Sequence, residues 1–128
     1  MRRKLEDGLE VWFLVNHAME AARILSEQGI EAMVMRLTCI HPLHAEDLVS
    51  KLSGINKVFV AEEIAGNCGI REHIACMLRE QNSAFTVDGI DLGNRYIQHG
   101  AVDKLYDYYG LSPEKLAKSI MEVHRSEN

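Results

Sequence analysis

Short β-rich runs and helix-patterned stretches alternate along this chain, and that alternation restricts its fold more than any other feature. Glu10-Val-Trp-Phe-Leu-Val15 is a compact apolar run of the kind buried on both faces of a parallel sheet and reads as a first strand. Ala18, Ala21, Ala22 and Leu25 then fall at helical spacing over about Ala18 to Gln28, with Gly29 placed as a C-cap. Ala32 to Leu37 reads as a second strand, and Pro42 precedes a helix over Ala45 to Leu52 that Gly54 ends. Lys57 to Ala61 supplies a third strand. The turn Gly66-Asn67-Cys68-Gly69 opens a long helix over Ile70 to Gln81, with Ile70, Ile74, Met77 and Leu78 on one face, and Ala84 to Val87 is a fourth strand. Helices near Ala101 to Tyr109 and from Ser112-Pro113 to about His124 complete the chain.

Strands separated by helices of this length build βαβ units, so the expected fold is α/β: a three-layer α/β/α sandwich on a mostly parallel sheet. One junction strains the scheme. Only Asn16 and His17 separate the first strand from its helix, the short end of the usual range for such loops.

A chain of 128 residues, 47% hydrophobic and 26% charged, suffices for one core without disulfides or metal, and residues 1–128 are expected to form a single domain. The N-terminal Met1-Arg2-Arg3-Lys4 runs into Glu6 and Asp7 rather than an apolar stretch, so no targeting signal is expected. The run from Val11 to Val15 is far shorter than the roughly 20 residues that span a bilayer. A cytoplasmic protein without a membrane partner is therefore expected. The net charge of -5 is dispersed, with no basic cluster beyond residues 2–4, which argues against nucleic acid as a partner. Cys39, Cys68 and Cys76 are odd in number and form no CxxC pair, so no disulfide is assigned.

The turn from Glu62 to His73 lies beyond a strand's carboxyl end, where open α/β sheets usually bind ligands. Gly66, Asn67 and Gly69 before a helix N-terminus, with Arg71 just inside it, have the makings of an anion site. Against that, the glycines serve a tight turn equally well, and Glu62 and Glu63 repel phosphate. As an acid/base pair the two glutamates point in opposite directions on leaving a strand, which favours a structural or interface role. Cys68 precedes a helix N-terminus, a setting that can activate a thiol, yet no neighbouring base is evident and an inert thiol is the simpler reading. His41 with His44, and His73 with Cys76, give pairs of potential ligands, but two ligands do not make a zinc site and no metal site is expected.

The loop from Asp88 to Gly100 is polar and glycine-bearing, as partner-contacting loops often are. Equally, Gly93 and Gly100 shape turns, Tyr96 and Ile97 anchor the loop, and Arg95 and His99 are solvated. Tyr106, Tyr108 and Tyr109 suit either an interface or helix packing. No GxGxxG, GxxxxGK[ST], GxSxG or HExxH signature occurs, and no catalytic residue is identified.

Several segments line up in order with one family: Ala21 to Ile30, Cys39-Ile-His-Pro-Leu43, Val58-Phe-Val-Ala-Glu-Glu63, and Arg95-Tyr-Ile-Gln-His-Gly100 before Leu111-Ser-Pro-Glu. Together these resemble the C-terminal domain of the transketolase family, most closely that of the 1-deoxy-D-xylulose-5-phosphate synthases. The resemblance covers nearly the whole chain. Asn94 stands where the synthase loop usually carries Asp, and the Gly-bearing stretch usual after the first strand is missing.

The resemblance implies a mixed five-stranded sheet with one antiparallel strand. It also implies that thiamine diphosphate and a divalent metal (Mg) belong to the complete enzyme, held between two earlier domains. Their metal-binding Gly-Asp-Gly motif and activating glutamate are not in this chain, so no cofactor is expected on it alone. By the same resemblance this is an excised domain or split subunit of a ketol- or aldehyde-transferring enzyme of isoprenoid precursor biosynthesis. It would pack on the cofactor-binding domains, help form a homodimer or larger assembly, and not catalyse alone. The Glu62-Glu63 turn and the loop with Arg95, Tyr96, His99 and Gly100 are the candidate packing surface. Two rival readings are a free-standing anion- or nucleotide-binding module and a non-enzymatic structural subunit.

Overall fold

A computed structural model of the chain describes residues 13–37, 43–52, 54–63, 69–93 and 99–126. Helix α1 spans Phe13–Glu27, so the last three residues of the expected first strand are helical. The reason is visible in the side-chain spacing. Leu14 lies four residues before Ala18 and extends the stripe of Ala21, Ala22 and Leu25 backwards by one turn, and a five-residue apolar run fits either period. The tight junction at Asn16 and His17 disappears, because both are positions inside α1. Residues 10–12 of the expected strand lie outside the described residues.

Ala21, Ala22 and Leu25 are 2% exposed or less and face helix α5, Pro113–Ser126, whose Leu116 and Ala117 are equally buried. Alanines at the contact let the two backbones approach closely, while the leucines supply most of the apolar burial. Helix α1 ends in a Schellman motif: Gly29 at φ 81° donates its N–H to the Ser26 carbonyl, and Ile30 donates its N–H to the Leu25 carbonyl, which also accepts the Gln28 N–H. The short helix α4, Val102–Tyr108, ends the same way at Gly110, φ 80°, with Leu111 N–H on the Tyr106 carbonyl at 2.7 Å. Leu111 is fully buried beyond that turn, and its carbonyl accepts a hydrogen bond from His17 Nδ1 at 2.9 Å, which ties α1 to the α4–α5 connection.

The expected second strand is reduced to a single β-bridge at Val34 within residues 31–37. Helix α2 spans Ala45–Leu52, as the spacing predicts, and buries Leu48 and Leu52. Strand β1 is Lys57–Ala61 and strand β2 is Thr86–Ile90; they pair in parallel from Lys57 opposite Thr86 to Ala61 opposite Ile90. Helix α3, Arg71–Gln81, connects them and packs Ile74, Ala75, Met77 and Leu78 toward β2 and α2. The fourth expected strand starts two residues late. Asn82 accepts the Phe85 N–H on its carbonyl and the Ala84 N–H on its side chain, and this turn holds both residues out of the ladder.

The fold is α/β, with two parallel strands among the described residues rather than the four read from the sequence or the five that the resemblance implies. Contacts group the chain into two units, residues 1–36 with 95–128 and residues 37–94. The first holds the α1–α5 core, the second the βαβ element with α2. Among the described residues no helix is long and apolar enough to cross a membrane.

Candidate functional site at the carboxyl ends of β1 and β2

Parallel pairing brings both strand exits to one edge, with Glu62 following β1 and Asp91 following β2. Glu62 continues the ladder one step, its N–H donating to the Ile90 carbonyl at 3.1 Å. Its side chain then reaches the start of α3. The Glu62 carboxylate accepts the backbone N–H of Ile70 at 2.8 Å and that of Arg71 at 3.4 Å. Ile70 itself provides no side-chain cap, so a glutamate eight residues upstream does so. The negative charge also meets the positive end of the helix dipole. Gly69 makes room: a Cβ there would collide with the Glu62 carboxylate.

Arg71 is set from the other side. Its guanidinium stands 3.8 Å from Asp91 Oδ2, and its Nε 3.9 Å from Glu72 Oε1. The aliphatic stem crosses Gly89, where an added Cβ would lie 2.7 Å from Arg71 Cδ and collide with the Val60 carbonyl oxygen. Asp91 Oδ1 accepts the Gly93 N–H at 2.7 Å, and Gly93 takes the left-handed backbone, φ 75°, that an L side chain resists.

Glu62, Gly69, Arg71, Glu72 and Asp91 enclose a space of about 10 Å³, which is the threshold for one water molecule. The structure thus joins Gly69 and Arg71 of the sequence's anion candidates with Glu62. The helix terminus holds an anion, and that anion is the chain's own carboxylate. Gly66 and Asn67 lie outside the described residues. On the far side of Arg71 an open cleft of about 330 Å³ runs along Ala75 and Arg79 of α3 and Val87 to Gly89 of β2. Its lining carries both signs of charge, Arg71 and Arg79 against Glu72 and Asp88.

The candidate packing residues divide similarly. Glu63 is exposed beside Glu62, and His99 and Gly100 are exposed, whereas Arg95 and Tyr96 lie outside the described residues. Of the tyrosines, Tyr106 packs edge-on against His17 with ring centroids 4.9 Å apart, and Tyr109 is buried. Tyr108 meets Tyr109 edge-on with ring centroids 5.1 Å apart and is still 60% exposed, so all three rings take part in packing and one also faces solvent. His73 and Cys76 both lie exposed on α3, and the described residues contain no group of three or more His, Cys, Asp or Glu able to hold a metal ion. Cys39, His41 and Cys68 lie outside the described residues. Asp91 was not singled out from the sequence; the signal for it was Asp91-Leu92-Gly93, an Asp two residues before a glycine, as in side-chain-capped turns.

The family model for the transketolase C-terminal domain matches residues 13–116. Relatives include a 1-deoxy-D-xylulose-5-phosphate synthase of Halothermothrix orenii, 31% identical over 91% of this chain and 19% of its own length. A second, from Gloeobacter violaceus, is 29% identical over 85% of this chain and 17% of its own. The mitochondrial pyruvate dehydrogenase E1 component subunit beta of Dictyostelium discoideum is 39% identical over 52% of this chain and 19% of its own. The chain spans about a fifth of the length of these curated relatives. With the family model matching well over half of the chain and a relative 31% identical over 91% of it, the chain belongs to the transketolase C-terminal domain family.

Proposed function

We propose that this chain serves as the C-terminal domain, or as a separately encoded subunit, of a cytoplasmic thiamine-diphosphate-dependent enzyme of the 1-deoxy-D-xylulose-5-phosphate synthase type. Its task is assembly: residues 1–128 form one domain that packs on the cofactor-binding domains and supports the dimer. The observation that carries this reading is the Glu62 cap. Where an α/β sheet ordinarily offers helix N–H groups to a ligand, this one has spent them on its own glutamate and left about 10 Å³ of space.

The described residues do not fit the cofactor. Among the described residues, a diphosphate at the start of α3 would meet the Glu62 carboxylate. No chemical step is assigned to this chain. The Glu62-Glu63 turn and the segment containing Arg95, Tyr96, His99 and Gly100 are the proposed packing surface.

The test is the native state of the polypeptide in its source cell. We expect an antibody to this sequence to detect either a polypeptide several times larger than 14.5 kDa or a 14.5 kDa chain in stable complex with one carrying thiamine-binding domains. A free 14.5 kDa chain, or a self-assembled oligomer of it alone, overturns the proposal. Tight binding of inorganic phosphate by the isolated chain favours the rival anion-binding module.

A further inference from the structure

We infer that Arg71 is a positioning residue that couples Glu62 at the exit of β1 to Asp91 at the exit of β2, so that the two exits present one surface; this rests on the reading above that this edge meets the partner. Arg71, the first residue of α3, meets the exits of both strands. Its backbone N–H is held by Glu62 at 3.4 Å, which links it to the exit of β1, and its guanidinium faces Asp91 at 3.8 Å, which links it to the exit of β2. The route between them is kept open by Gly89, where any side chain would obstruct the arginine stem.

Asp91 passes the constraint on. One of its oxygens faces Arg71 while the other holds the Gly93 N–H at 2.7 Å, so the constraint reaches the turn Asp91-Leu92-Gly93. Neither turn needs this link to form: Glu62 caps α3 without Asp91, and Asp91 closes its own turn without Glu62. The link adds a fixed relation between the two. At 3.8 Å the Arg71–Asp91 contact is an ion pair rather than a direct hydrogen bond, with side chains 30% and 19% exposed, so the coupling is electrostatic and salt weakens it.

The test is amide exchange by NMR on the full chain, following the Ile70 and Gly93 amides in wild type, Arg71→Met, Asp91→Asn and the double variant. In Arg71→Met the Gly93 amide is expected to exchange about two- to five-fold faster, the size of a partly exposed ion pair. In Asp91→Asn the Ile70 amide is expected to accelerate although its own acceptor, Glu62, is intact. The double variant should exchange no faster at Ile70 than the faster single one. Unchanged Gly93 exchange in Arg71→Met, or unchanged Ile70 exchange in Asp91→Asn, overturns the inference.

If a variant is destabilised throughout, the wild type decides. About 1 M salt, where the screening length falls to about 3 Å, should accelerate Ile70 and Gly93 relative to Leu78 in the core, and equal effects at all three overturn the coupling. No partner takes part in these measurements, so they can fail while the assembly reading stands, and the reverse.

Discussion

Glu62 caps a helix whose N-cap residue, Ile70, lies eight residues further along the chain, and that distance conceals it from any local capping rule. The residue was legible as important, because it leaves a strand at the ligand edge of an α/β sheet, but its role was not. Sequence spacing shows that Glu62 and Glu63 diverge; it does not show that one of them turns back on the next helix. Glu62→Ala should lower stability by about 1–2 kcal/mol, the usual loss for an N-terminal cap, read as a shift in the urea midpoint with an unchanged slope. Gly89→Ala should cost about 1–3 kcal/mol, since the new methyl meets the Val60 carbonyl and the Arg71 stem; a neutral result by the same measurement would mean that both the β1 backbone at Val60 and the stem give way freely.

At the scale of elements, the helices were the readable part. The spacing over α2, α3 and α5 predicts them closely, because each has an apolar face with a glycine, proline or polar residue at its end. The errors lie where an apolar run is too short to declare its period. Phe13 to Val15 joins α1 because Leu14 continues the stripe, and Ala32 to Leu37 is apolar enough for a strand yet pairs only at Val34. Leu25 and Leu78 are fully buried in separate units, so Leu25→Ala and Leu78→Ala should each cost about 2–5 kcal/mol in chemical denaturation. Gly29→Ala and Gly110→Ala each place a side chain at positive φ and should each cost about 1 kcal/mol by the same experiment.

For the molecule as a whole, order and spacing of weak motifs named the family where no single residue did. The sequence could not disclose the completed edge, because Glu62, Gly69, Gly89 and Asp91 converge only after β1 and β2 pair in register. The single-domain proposal makes its own prediction: urea unfolding followed by far-UV circular dichroism and by intrinsic tryptophan and tyrosine fluorescence should give coincident transitions, and separated ones would divide residues 37–94 from the rest. Gly69 carries a last consequence. A side chain as small as alanine there would push the Glu62 carboxylate away from its place against the Ile70 and Arg71 amides. A single methyl group is therefore enough to disturb the contact by which the exit of β1 holds the start of α3.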